Sequence, residues 1–156
     1  MDAAQSIPIA RIAVVSVTAG ILGGSAMIAT MWIATRAEWE RFNMIVALGS
    51  LFTRERKNAF RVGIIVHALS AIVFAALYSI AMWKFGFAHF PVAIFACTGI
   101  GIIHGMVVSL LLVWVIADQH PLEEFKEADL VIGLVHFAGH VAFGAVVGLV
   151  IGVLTL

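Results

Sequence analysis

Histidines and methionines inside apolar segments are the residues of this chain whose chemistry is most distinctive. Four of the six histidines lie within long apolar runs: His67, His104, His136 and His140. Ionisable side chains in such runs are costly in a membrane and usually face the interior of a helix bundle. Neutral imidazole is the commonest protein ligand for metal ions and also binds haem iron. These four histidines are therefore candidate cofactor ligands.

Two pairs of these residues have helical spacing. His136 and His140 are four residues apart, as are Met27 and Met31, so each pair occupies one face of a helix. At about 1.5 Å per residue, the imidazoles and thioethers lie roughly 8 to 20 Å from the same end of their helices. Thioether sulfur suits cuprous copper or an axial position on haem iron. We therefore predict one layer that binds haem b or a copper, iron or zinc ion, with both methionines as additional metal ligands.

Other roles for these residues stay open at this stage. A buried imidazole is also satisfied by a hydroxyl, a carbonyl or a water molecule, and a row of histidines can carry protons or ions. Methionines also fill gaps in apolar cores. His89 and His120 lie in predicted loops, where we expect solvated side chains, although Asp118 and His120 could also pass ions towards the layer.

Motifs of known enzyme classes are missing from the sequence. The histidine pair lacks the glutamate of HExxH, and neither a GxSxG elbow nor a phosphate-binding GxxxxGK[ST] loop occurs. We identify no catalytic residue and predict that the chain is not an enzyme by itself. The single Cys97 allows no disulfide within the chain.

The composition indicates that the chain is a membrane protein. Of the residues, 63% are hydrophobic and 12% are charged, with a net charge of zero, whereas soluble domains have about 25% charged residues. Neither a soluble domain nor nucleic-acid binding is indicated. The predicted partners are the lipid bilayer and other membrane protein subunits.

Four segments are long and apolar enough to cross a membrane. About 20 apolar residues span the hydrocarbon layer as a helix, which pairs its own backbone polar groups. The first run exceeds the roughly 7 to 15 residues of a cleavable signal peptide, so we expect it to be retained. The predicted spans are 12–35, 62–83, 92–117 and 130–156. We predict an all-α fold, in which residues 1–156 form a single transmembrane domain built as a four-helix bundle.

Two segments between the spans are predicted to be helical. Between the first two spans, apolar residues recur at helical spacing and polar residues take the other face, which indicates an amphipathic helix at the membrane surface. The apolar face is Trp39, Phe42, Ile45, Val46, Gly49 and Phe52, and the polar face is Glu38, Glu40, Arg41, Asn43 and Ser50. Before the last span, Pro121 is placed to start a short acidic helix. Its carboxylates, with Asp118 and Asp129, are expected to face water.

Small residues predict how the helices pack. Helices in lipid associate where glycines let their backbones approach closely. Such ridges are Gly20 with Gly24, Gly101 with Gly105, and Gly144 with Gly148 and Gly152. We expect contacts within one chain here, with a homo-oligomer contact through these ridges as the alternative.

Charge predicts the orientation in the membrane. The first and third loops carry Arg36, Arg41, Arg54, Arg56, Lys57, Arg61 and Lys126, against Arg11 and Lys84 on the opposite side. Because cytoplasmic loops keep the positive excess, both termini are predicted to lie outside the cytoplasm. The membrane itself is expected to be a bacterial inner membrane.

Several glycine-rich and histidine-containing segments resemble a known family. They are AGILGGSAM in the first span, LGSLF at 48–52, VGIIVH at the start of the second span, GIIHG at 101–105 and the histidine-glycine pattern of the fourth span. Together they resemble an uncharacterised bacterial and archaeal family of small four-span membrane proteins, a domain of unknown function. The resemblance covers nearly the whole chain and implies a topology without an activity. It also implies that His67, His104 and His136 are family positions and that His140 is particular to this chain.

Three functional hypotheses follow from the sequence. The first is a small membrane subunit of a larger assembly that binds haem or a transition metal through the histidine layer. The second is a channel or transporter for protons, a metal ion or a small solute. The third is a purely structural membrane protein whose histidines only form hydrogen bonds.

Overall fold

The protein is an all-α bundle dominated by four long apolar helices. A computed structural model describes residues 9–37, 43–127 and 129–154, and no strand occurs in these ranges. The long helices are α1 (Ile9–Arg36), α3 (Ala59–Lys84), α4 (Val92–Leu111) and α5 (Leu130–Leu154), with the short helix α2 (Met44–Thr53) between α1 and α3. A π-helical turn, Leu112–Ile116, continues α4. Each of the four, with α4 counted to Ile116, is long and apolar enough to cross a membrane, which confirms the predicted fold class.

The helices extend slightly beyond the predicted spans. α1 begins three residues earlier than predicted, and α3 begins at Ala59 and so includes Arg61. Hydropathy detects only the stretch suited to hydrocarbon, whereas helical hydrogen bonding continues into the polar interface. A long arginine side chain can reach that interface from within a helix. The last two residues of the predicted fourth span lie outside the described residues.

The helices are arranged around α5. This helix packs along α4 and along α1, and α1 in turn packs along α3, whereas α3 and α4 approach each other at few positions. The Arg11 guanidinium donates a hydrogen bond of 3.0 Å to the Leu154 carbonyl oxygen, so the start of α1 and the end of α5 lie at the same end of the bundle. The arrangement leaves a gap between α3 and α4.

Glycines make the close helix contacts within the chain. A Cβ atom added at Gly20 would lie 2.6 Å from the Cα atom of Ile72, and one at Gly101 would lie 2.7 Å from the His140 carbonyl oxygen. Because such distances are too short for a side chain, α1 meets α3 and α4 meets α5 backbone to backbone. The prediction that these ridges pack within one chain is confirmed.

The short helix α2 confirms part of the predicted interfacial helix. It begins after Asn43, whose side-chain oxygen accepts a hydrogen bond of 3.1 Å from the Val46 N–H. The predicted residues Glu38, Trp39, Glu40, Arg41 and Phe42 lie outside the described residues.

The polar face of α2 differs from the prediction at one residue. Ser50, assigned to the polar face, is fully buried, and its hydroxyl donates to carbonyl oxygens one turn earlier. On the predicted apolar face, Val46 and Gly49 are buried and Phe52 is exposed. The cause is the docking of α2 on α3, where Gly49 and Gly63 allow close approach and select small residues for the buried face.

The loop before α5 is more compact than predicted. Instead of a helix starting at Pro121, it forms one 3-10 turn, Glu123–Phe125. The carboxylate-bearing residues are exposed as expected: Asp118, Glu123, Glu124, Glu127 and Asp129. Glu124 pairs with Arg56 of the first loop, so the first and third loops meet on one side of the bundle.

Candidate functional site

A cavity of about 250 Å³ lies in the gap between α3 and α4, with α1 and α5 behind it. All six residues predicted as cofactor or metal ligands line it: Met27, Met31, His67, His104, His136 and His140. A fifth histidine, His120, lines it as well. The lining contains no Asp, Glu, Lys, Arg or Cys among the described residues. The cavity therefore combines imidazoles and thioethers without any permanently charged side chain.

The two histidines of α5 are fixed in one tautomer by the helix itself. The Nδ1 atom of His136 lies 3.2 Å from the Ile132 carbonyl oxygen, and that of His140 lies 2.9 Å from the His136 carbonyl oxygen. Because a carbonyl oxygen only accepts hydrogen bonds, Nδ1 carries the proton in both neutral rings. The Nε2 lone pair is then available, and Nε2 forms no hydrogen bond in the part of the chain that the structure describes. Metal-binding histidines commonly have this second hydrogen bond to a carbonyl oxygen.

His104 of α4 lies directly beside His140. Their ring centroids are 4.7 Å apart, with the rings nearly perpendicular. Nδ1 of His104 lies 3.3 Å from the Tyr78 hydroxyl of α3, and Phe74 packs on the same ring at 4.3 Å. Within the described residues, Nε2 of His104 is buried and has no hydrogen-bond partner. Three other described residues also bury an unpartnered polar atom but do not line the cavity: Ser16, Trp83 and Ser109. Buried polar atoms are rarely left unpaired, so the His104 nitrogen is the point in the cavity lining where a ligand would gain most.

His67 faces the cavity from α3. Its Nε2 atom lies 3.2 Å from the Gly24 carbonyl oxygen of α1, so this ring donates through Nε2 and keeps the lone pair on Nδ1. It lines the same cavity as His136 and His140. The predicted layer thus brings together imidazoles from three helices.

The two methionines approach α5 between its histidines. A Cβ atom added at Gly139 would lie 3.0 Å from Cγ of Met27 and 3.7 Å from Cε of Met31. Gly139 is adjacent to His140 and lies three residues after His136. Both methionines are buried, so α1 holds the thioethers beside the α5 turn that carries the imidazoles.

His120 was wrongly predicted to be solvated. It is 3% exposed, because its ring links the end of α4 to α2. Its Nε2–H donates to the Ala47 carbonyl oxygen at 3.1 Å, and its Nδ1 accepts the Leu122 N–H at 3.1 Å. The partner helix is 73 residues away in sequence, so no local pattern could have revealed this contact. His89 is exposed, as predicted.

The cavity occupies only one half of the bundle. It reaches from the first and third loops to Phe143 and His104, near the middle of the long helices. The other half is a packed apolar core formed by Val15, Ala19, Ala71, Ala75, Tyr78, Met82, Ala93, Cys97, Phe143, Val147, Val150 and Ile151. The cavity is therefore a pocket that ends within the bundle, and the apolar core separates it from the opposite end.

The described residues contain no group of three or more His, Cys, Asp or Glu side chains arranged to hold a metal ion. The predicted ligands share a cavity, but three imidazoles do not converge on one point. Metal and haem binding stay predictions.

Comparisons with known proteins assign neither a family nor a function. We found no matching family model, no matching curated protein and no matching solved structure.

Proposed function

We propose that this integral membrane protein binds a transition-metal ion in the cavity between α3 and α4. The observation that carries the proposal is the buried, unpartnered Nε2 of His104 beside His140. Nε2 of His140 is the second nitrogen ligand, since a carbonyl oxygen holds the proton of this ring on Nδ1. His136 holds its proton on Nδ1 in the same way and lines the same cavity.

The spacing of the rings supports a shared ion. Two imidazoles that bind one metal ion through nitrogens at about 2.0–2.1 Å have ring centroids roughly 5 Å apart. The centroids of His104 and His140 are 4.7 Å apart, which agrees with this separation. Burying a polar atom without a partner costs about 1–3 kcal/mol, and an ion at this point would remove that cost.

The size of the cavity favours an ion over haem b. Pockets for organic ligands usually have volumes of about 300–1,000 Å³, whereas this cavity has about 250 Å³. The cavity is smaller than that range, so it suits a single ion better than haem b.

The position of the cavity favours binding over conduction. A channel needs a polar path through the whole bundle, but the half beyond Phe143 is an apolar core. The purely structural hypothesis explains the hydrogen bonds of His67, His136 and His140 to carbonyl oxygens, yet leaves Nε2 of His104 without a partner.

The proposal includes a role as a small subunit of a larger membrane assembly. Most of the chain lies in four helices that are long and apolar enough to cross a membrane, so we expect its partners to be other membrane proteins. The orientation with both termini outside the cytoplasm, and membership of the four-span family, belong to the same proposal.

Metal titration of the purified protein tests the proposal. The wild-type protein in mild detergent is titrated anaerobically with transition-metal ions and compared with His104→Ala and His140→Ala. We expect one ion per chain and, because even loss of a residue that only supports a ligand costs about 10–100-fold, at least a tenfold loss of affinity in each variant.

Exposed His89 provides the control, since His89→Ala removes an imidazole outside the cavity. Folding of every variant is checked by its apparent Tm. Binding that survives in both site variants, or no binding by wild type, would refute the proposal. A haem band in the reduced-minus-oxidised spectrum would show that the bound cofactor is haem and not a metal ion alone.

A further inference from the structure

We infer that the ion bound in this cavity is monovalent copper, Cu⁺, and that Met27 and Met31 supply sulfur ligands. This inference rests on the proposed function, because it concerns the identity of the ion at the same site. Two independent properties of the cavity lead to it: its charge and the kind of donor atoms that it offers.

The first property is the absence of anionic ligands. The described lining holds histidines, methionines, Ser70 and apolar side chains, with no carboxylate or thiolate. Cys97 is buried in the apolar half of the bundle, away from the lining. An ion bound by neutral ligands keeps its full charge, and the cost of placing it in a low-dielectric interior rises with the square of that charge. The cavity therefore favours a monovalent over a divalent ion.

The second property is the softness of the donors. Sodium and potassium are monovalent but prefer oxygen ligands, which the cavity offers only from backbone carbonyls and Ser70. Thioether ligands favour Cu⁺ among biological metal ions, and imidazole also suits copper. Met27 and Met31 lie against Gly139, in the turn that separates His136 from His140. Both methionines line the same cavity as the two histidines.

Only a few donors are needed for such an ion. The described residues lack a group of three His, Cys, Asp or Glu side chains at metal-binding positions, which makes a tetrahedral zinc site of the usual kind a poor match. One or two imidazoles with one or two thioethers form a different kind of site, to which the absence of such a group does not apply. Both methionines have unbranched, flexible side chains, so their sulfur atoms can turn towards the histidines without movement of α1.

Competition between metal ions tests the inference. Metal-free protein is titrated anaerobically with Cu⁺ against a cuprous chelator, and separately with Zn²⁺ and Fe²⁺. The double variant Met27→Leu/Met31→Leu keeps the volume and apolar character of both side chains and removes only the sulfur atoms. We expect wild type to bind Cu⁺ most tightly and the double variant to lose at least tenfold in Cu⁺ affinity, with copper X-ray absorption losing its sulfur signal.

Met106 gives the matched control, because it is 51% exposed on α4 and does not line the cavity. Met106→Leu should bind Cu⁺ as wild type does. If Zn²⁺ or Fe²⁺ binds more tightly than Cu⁺, or if the double variant binds Cu⁺ unchanged, the inference is wrong while the proposed function stands. If no metal ion binds wild type, both are wrong.

Discussion

Replacing Gly101 by alanine tests whether α4 and α5 pack as closely as described beside the histidine pair. The added Cβ would lie 2.7 Å from the His140 carbonyl oxygen and 3.2 Å from Cα of Gly144. Ordinary contacts of this kind begin at 3.4 Å, so α4 must move away from α5 by several tenths of an ångström. Both neighbouring atoms belong to the backbone, so no side-chain rotation can relieve the contact.

The expected loss of stability is obtained by comparing Gly101→Ala with the same substitution at Gly99, two residues earlier on the same helix. A Cβ at Gly99 meets nothing within 4 Å, so Gly99→Ala adds the same methyl group without a clash. Both variants gain the same helix propensity, which cancels in the comparison. Overpacking a well-packed contact costs about 1–3 kcal/mol, and this is the expected stability difference between the two variants.

Thermal unfolding in one detergent provides the assay. For chains of this size, about 1 kcal/mol shifts the Tm by roughly 2–4 °C, so Gly101→Ala should unfold about 2–12 °C below Gly99→Ala. Gly101→Ala should also bind the metal ion less tightly, because separating α4 from α5 moves His104 away from His140. Equal Tm values for the two variants would refute the described packing of α4 on α5.

Three further substitutions have distinct expected outcomes. His120→Ala should lower the stability by about 1–3 kcal/mol, because the Leu122 N–H loses its acceptor and the Ala47 carbonyl loses one of its donors; an unchanged Tm would contradict this. Tyr78→Phe should weaken metal binding by about 10–100-fold without removing a ligand, since the hydroxyl only orients His104; unchanged affinity in the titration would exclude that role. Arg56→Ala should change the stability by no more than about 1 kcal/mol, because its pair with Glu124 is exposed; a larger fall in Tm would show that the loops hold the bundle together.

The four spans could be predicted because lipid imposes a simple requirement on the sequence. Each span needs about 20 apolar residues in a helix, and the chain contains four such runs. The glycine ridges could be predicted for a similar reason, since close backbone approach in lipid requires small residues. Helix ends were less certain: α3 includes Arg61, whose charge marks a boundary for hydropathy but not for helical hydrogen bonding.

The histidine cavity was predictable in part. Depth along each helix brought His67, His104, His136 and His140 into one layer, and all four line one cavity. The depth of a residue along its helix does not give the rotation of that helix about its axis. This rotation places His104 against His140.

Contacts between distant segments lay beyond the sequence pattern. The burial of His120 depends on α2 docking against the end of α4, and the burial of Ser50 depends on α2 docking against α3. In both cases the residue looks polar and exposed within its own segment, and packing against another segment decides its environment.

The metal content of the protein as purified from membranes tests the central claim most directly. Wild type and His104→Ala/His140→Ala are purified in mild detergent without chelators, and their metals are measured by mass spectrometry. We predict close to one transition-metal ion per chain in wild type and its loss in the folded double variant. A metal-free wild-type protein that also binds no ion on reconstitution, or equal metal content in both proteins, would contradict the claim.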